Sequence, residues 1–169
     1  MTLISLSIRE RKSHGSEQNS AQYSSSEQRL SNMPAHPDVI RALTHLRSAG
    51  FRLVTLTNSP SSTSPTPLEK AGLSKFFEHN FSVKSVGKFK PAPEIYHLVV
   101  KELSVETSEL CLVACHLWGI IGAQAAGCHA AFLTRPHNTN LLAANVPVPN
   151  FVAADLNQLA EQTILSKQI

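Results

Sequence analysis

Thr57 and Asn58 directly follow an apolar run, Phe51-Arg52-Leu53-Val54-Thr55-Leu56. A hydroxyl and a carboxamide placed there can donate hydrogen bonds to an anion, or to negative charge that develops during a reaction. The plain alternative is a strand end capped by its own turn. Lys90 stands before a proline in Gly87-Lys88-Phe89-Lys90-Pro91-Ala92-Pro93-Glu94-Ile95-Tyr96. Proline fixes its own φ and pushes the preceding residue towards extended geometry, so a stiff segment presents the lysine. An exposed lysine ahead of a helix is the alternative, and Lys88 reads that way. A third segment, Leu112-Val113-Ala114-Cys115-His116-Leu117-Trp118-Gly119, is again an apolar run that ends in polar residues. His116 has the side-chain type of a general base near neutral pH, or is a strand-end histidine bonded to backbone. Trp118 reads as packing or pocket wall. Thr57, Asn58, Lys90 and His116 together could hold a small carboxylate or halide.

The elements that must position these groups follow from apolar spacing. Ile4, Leu6 and Ile8 alternate with Ser5 and Ser7, the pattern of a half-buried strand that suits a sheet edge better than its centre. Pro37 and Asp38 open a helix with Val39, Ile40, Leu43 and Leu46 on one face and Gly50 as its stop. Residues 51–56 read as a buried parallel strand, and 59–67 as an irregular loop. Residues 68–71 suggest a short helix and 81–83 a short strand. Pro93 to Leu103 is a helix with Ile95, Leu98, Val99 and Leu103 on one side. Residues 110–115 form a strand, 119–126 a small-residue helix stopped by Gly127, and 130–134 another strand. A last strand at 151–153 precedes a helix capped by Asp155, with Leu156, Leu159 and Ile164 inward. Strands alternating with helices imply a parallel, doubly wound α/β sheet. Small polar groups at the C-terminal ends of such strands are where these sheets build their sites.

With 169 residues and 42% hydrophobic content, the chain can bury one ordinary core. Its net charge of +3 is scattered, with no basic stripe and interleaved aromatics, which argues against a nucleic acid partner. No apolar run approaches the roughly 20 residues of a membrane span, and Met1 to Ile8 lacks the basic start and cleavage site of a secretory signal. Cys111, Cys115 and Cys128 are an odd set that fits a reducing, cytoplasmic setting. With His116 and His129 they match no zinc spacing, so they are expected to be buried thiols and no metal is expected. Residues 1–32 read as a polar, mostly disordered segment apart from the strand at the start, and 33–169 as the folded domain.

Together the three polar-ended segments resemble the type II haloacid dehalogenases, the (S)-2-haloacid dehalogenases of the haloacid dehalogenase superfamily. The resemblance implies a HAD-like, Rossmannoid three-layer α/β/α fold with a parallel sheet, of which this chain would carry the C-terminal core. The strand of the family's first motif and its helical cap are expected to be missing. The implied catalytic residues are Lys90, which would neutralise the nucleophilic carboxylate, and Thr57 and Asn58, which would hold the substrate carboxylate and orient the nucleophile. Tyr96, His116 and Trp118 would bind substrate. No cofactor is implied; the partner would be a 2-haloacid or another small carboxylate, and a homodimer stays open. Family members attack the halide-bearing carbon with an aspartate to form an ester that water then hydrolyses. Here the only aspartates are Asp38 and Asp155, both at expected helix starts where the helix dipole accounts for them. The family's last-motif aspartate is replaced by Gly119. Phosphatases of the superfamily bind magnesium through carboxylates of the first and last motifs, which makes that activity the least favoured. The chain is therefore expected to be a catalytically impaired relative of enzymes that turn (S)-2-haloacids into 2-hydroxyacids. The alternatives are a non-catalytic small-carboxylate-binding remnant or a truncated gene product.

Overall fold

A computed structural model of the chain describes residues 2–4, 34–58, 65–136, 138–139 and 144–167. Among them, strands β1 (Thr2–Ile4), β2 (Arg52–Thr57), β3 (His79–Ser82), β4 (Leu110–Ala114), β5 (His129–Leu133) and β6 (Phe151–Ala153) form one sheet. All neighbours are parallel and the order is β3-β2-β1-β4-β5-β6. The helices are α1 (Val39–Ser48), α2 (Pro67–Lys70), α3 (Pro93–Leu103), α4 (Leu117–Ala125) and α5 (Leu156–Ser166). No helix of the described residues is long and apolar enough to cross a membrane.

Successive strand residues face opposite ways, and both faces are apolar. Leu53, Cys111, Val113, Ala131 and Leu133 pack with α1 and α5. Their neighbours Val54, Leu56, Leu112, Ala130 and Phe132 pack with α3 and α4. Burial of both faces is what a parallel sheet requires, and it gives the expected three-layer α/β/α fold. The helices turn inward the residues their spacing dictates. In α1 these are Val39, Ala42, Leu43 and Leu46; Ile40, expected on that face, is 54% exposed. In α3 Tyr96 is inward together with Ile95, Val99 and Leu103, while Leu98 is only half-buried. The short strand expected at 81–83 lies at 79–82, and Val83 begins a 3-10 turn.

One expectation is corrected outright. The N-terminal strand is not an edge: β1 pairs with β2 and β4, with Leu3 beside both Leu53 and Cys111. Alternation reports which way side chains face; sheet position is set by which neighbours complete the hydrogen-bond ladder. The strand position expected to stand empty is thus filled, and β2 and β4 share a neighbour. Residues 5–32, with the polar segment assigned to them, and residues 59–64 of the irregular loop lie outside the described residues.

Asp38 stands at the N-cap of α1, the expected helix start, but its side chain makes no capping bond to that helix. Instead it accepts two hydrogen bonds from the Arg135 guanidinium, at 3.1 and 2.8 Å, and one from the amide of Leu156 at 2.7 Å. The pair therefore joins α1, the loop after β5 and the N-terminus of α5. Side-chain exposure is 16% for Arg135 and 9% for Asp38, so this is a largely desolvated, bidentate ion pair. Burial alone would raise the Asp38 pKa, but the bonds from Arg135 and Leu156 and the Arg135 charge hold it below the usual carboxylate value. Asp155 does cap α5 as expected, accepting from the Gln158 amide at 2.8 Å.

Arg135→Met leaves that carboxylate buried without its cation and is expected to cost about 3–5 kcal/mol in urea unfolding at neutral pH. The depressed folded pKa of Asp38 stabilises the fold above the ordinary carboxylate pKa and loses that contribution as the pH falls through the folded value. The gap between wild type and Arg135→Met should therefore narrow on acidification.

Candidate functional site

Chain order places β1, β2 and β3 on one side of the sheet and then returns to the other side with β4. The crevice at the C-terminal ends of β1 and β4 is thus the topological switch point, the usual ligand position in open α/β sheets. The sequence-derived site residues gather around it from three segments.

From β2 come Leu56, Thr57 and Asn58. The strand interior, residues 53–56, is buried, and Thr57 and Asn58 emerge half-buried at its end. Asn58 Oδ1 accepts a hydrogen bond from the backbone amide of Lys90 at 3.0 Å. Lys90 is only 6% exposed, unlike an ordinary surface lysine. Its ammonium donates to the carbonyl of Leu56 at 2.7 Å and lies 5.8 Å from the centroid of the Trp118 ring. A desolvated ammonium needs such oxygen and π partners. Lys88, two residues earlier, is exposed and ion-paired to Glu94 in the first turn of α3.

From β4 come Cys115, His116 and Trp118. His116 is the N-cap residue of α4 and its backbone is extended, with φ −133°. Its ring stacks on Trp118, the centroids 6.0 Å apart and the planes 8° from parallel. Trp118 is 40% exposed, so one side of that pair faces out. Tyr96 stands behind them. It is wholly buried, and its hydroxyl donates to the carbonyl of Gly119 at 3.0 Å. Burial pushes its pKa up, so it remains a donor. Tyr96 therefore ties α3 to the first turn of α4 and does not present its hydroxyl at the surface.

Sequence reasoning missed Asn138. Its amide donates to the carbonyl of Cys115 at 2.9 Å and of Leu133 at 3.3 Å, bracing the ends of β4 and β5. No local pattern marks an asparagine whose partners lie on two strands. The cysteines are placed as packing groups. Burial pushes the Cys111 thiol up to about 12 and Cys128 to about 11. Burial also raises Cys115, outweighing the downward pull of Arg135.

A magnesium ion would need carboxylate oxygens at this crevice. Gly119 offers none, and Asp38 and Asp155 are engaged in the contacts described above. Among the described residues no group of three or more His, Cys, Asp or Glu side chains is arranged to hold a metal. Among these described residues the carboxylates do not form a donor set for the ion.

A family model described as a haloacid dehalogenase-like hydrolase matches residues 9–127. A phosphoglycolate phosphatase of Vibrio parahaemolyticus is 32% identical over 146 residues, which cover 85% of this chain and 62% of that protein. The (S)-2-haloacid dehalogenase 2 of Pseudomonas sp. is 32% identical over 108 residues, covering 64% of this chain and 47% of that protein. Among solved structures, an L-2-haloacid dehalogenase superposes with a TM-score of 0.77 at 25% identity, over 89% of this chain and 64% of that one. The L-2-haloacid dehalogenase of Xanthobacter autotrophicus with chloropropionic acid covalently bound has a TM-score of 0.72 at 21% identity, over 84% of this chain and 66% of that one, a likeness of fold. The chain spans between 47% and 62% of the length of these two curated relatives. Relatives of both activities match, and the phosphatase match covers more of the chain.

Tyr96→Phe should remove the side-chain hydrogen bond to the Gly119 carbonyl and cost about 0.5–1.5 kcal/mol in chemical denaturation. Gly119→Ala should fold, because a Cβ there meets only Leu112 Cδ2 at 3.4 Å and Ala114 Cβ at 3.8 Å. A cooperative melt and an unchanged far-UV spectrum would verify this.

Proposed function

The chain belongs to the haloacid dehalogenase-like hydrolase family, and from that premise we propose that it is a dehalogenase-type core that holds small 2-substituted carboxylates without turning them over. The observation that carries this reading is the state of its aspartates. The chain has two, Asp38 and Asp155; one is locked to Arg135 and Leu156 and the other caps α5. Displacing a halide in this family's manner needs a carboxylate aimed at the C2 carbon. Residues 2–8 carry no carboxylate, and Gly119 holds the position of the last-motif acid.

The anion-holding half of the site is retained. The Lys90 ammonium supplies positive charge at the switch point, and a bound carboxylate would gain a charge-assisted hydrogen bond from it. The carboxamide of Asn58 fixes the Lys90 backbone by its oxygen, and its NH₂ end would donate to a bound carboxylate. His116 and Trp118 form a flat wall against which a short apolar substituent at C2 would pack. The segments around Lys90 and Trp118 favour a 2-haloacid or 2-hydroxyacid over a phosphate ester, and the poor donor set for magnesium points the same way.

The purified chain should release no chloride from (S)-2-chloropropionate above the buffer rate, and no phosphate from phosphoglycolate with magnesium present. Calorimetry should detect saturable binding of lactate, and Lys90→Met should weaken it at least about tenfold, equivalent to ~1.4 kcal/mol. Halide or phosphate release would overturn the non-catalytic reading, and absence of binding would overturn the carboxylate seat.

A further inference from the structure

Among the direct holds on Lys90 are its amide on Asn58 and its ammonium on Leu56. A further hold acts through the next residue. α4 meets Pro91 at Gly122, so closely that a Cβ built on Gly122 would lie 2.5 Å from the Pro91 carbonyl oxygen, 2.6 Å from its Cβ and 2.7 Å from its Cα. Carbon–carbon contacts ordinarily sit at roughly 3.5–4.0 Å, so a methyl there forces Pro91 back by about 1 Å. The obstructing atoms belong to the backbone and a closed ring, and no rotamer change relieves them.

Nothing else asks for glycine at this position. Gly122 lies inside α4 and its φ is not in the left-handed region that Gly50 and Gly127 occupy. Glycine in a helix interior costs about 1 kcal/mol relative to alanine. Gly119, one turn earlier in the same helix, has ordinary room for a Cβ. The close approach to Pro91 is therefore the reason for Gly122.

We infer that Gly122 is a positioning residue for Lys90. The bare face of α4 seats Pro91, and Pro91 fixes the ammonium between the end of β2 and the Trp118 ring. The functional meaning of this rests on the proposed anion-holding role of Lys90; the geometry and its readout do not. Trp118 is the single tryptophan of the chain, and the Lys90 ammonium lies 5.8 Å from its ring. Its emission thus reports the position of Lys90 with no ligand present.

The test compares the full-length chain with Lys90→Met, Gly122→Ala, the double variant and Gly127→Ala. Gly127 has φ +82°, and a Cβ there would lie 3.2 Å from Thr107 Oγ1, so its substitution strains the fold away from Lys90. Lys90→Met and Gly122→Ala should shift Trp118 emission in the same direction, and the double variant should shift it no further than Lys90→Met alone. Gly127→Ala should lower the melting temperature and leave the emission at its wild-type position. Wild-type emission in folded Gly122→Ala, or an equal shift in Gly127→Ala, would overturn the inference. Should Gly122→Ala not fold, Pro91→Gly removes the ring from the same contact. It should then give the emission shift, and wild-type emission would overturn the inference. Lactate binding is measured on the same samples. Failure to bind lactate with the emission pattern intact would sink the proposed function and leave Gly122 as the positioning residue.

Discussion

A lysine ammonium leaves water only where oxygen and π-electron partners replace its hydration. Lys90 meets that condition at one place in the sheet, where the Leu56 carbonyl ends β2 and Trp118 opens α4. Much of the local architecture serves this placement. Asn58 holds the Lys90 backbone, Gly122 admits Pro91, and Tyr96 fastens the first turn of α4 to α3. The parallel order that sets β1 between β2 and β4 brings the two strand ends near enough for one cation to stand between them.

The same sheet makes no demand of its own for a nucleophilic carboxylate. Strand pairing at the centre needs backbone and apolar side chains, and Thr2–Ile4 supplies the ladder. It does not need a carboxylate at the strand end. Asp38 has a different task. It closes a desolvated pair with Arg135 across three elements, so removing either partner unsettles the packing of α1 against α5. A carboxylate held by two guanidinium bonds and a helix N-terminus is a poor nucleophile, since its lone pairs are occupied and its negative charge is stabilised.

Much of this was legible in the residues. Continuous apolar runs such as those around Leu53-Val54 and Leu112-Val113 mark strands buried on both faces, and Pro93 and Gly127 mark helix ends. The polar residues after each run locate the crevice. What local pattern could not carry is long-range pairing. Ile40 fits an apolar stripe as well as Ala42 does, and only the packing against α5 decides that Ala42 is inside. Asp38 looks like a helix-dipole residue until Arg135, 97 positions away, folds against it. The alternation of the N-terminal strand suggests an edge because it describes faces, whereas its central place is decided by β2 and β4. Tyr96 reads as a pocket residue by resemblance, but its burial against the Gly119 carbonyl is a property of two helices meeting.

The central claim is that this crevice binds a small 2-substituted carboxylate and lacks the nucleophile to convert it. A proton NMR time course of (S)-2-chloropropionate with the purified chain tests both halves in one sample. The account predicts saturation transfer from protein to the chloropropionate methyl group, with no lactate signal appearing over hours. A growing lactate signal, or no saturation transfer at all, would contradict it.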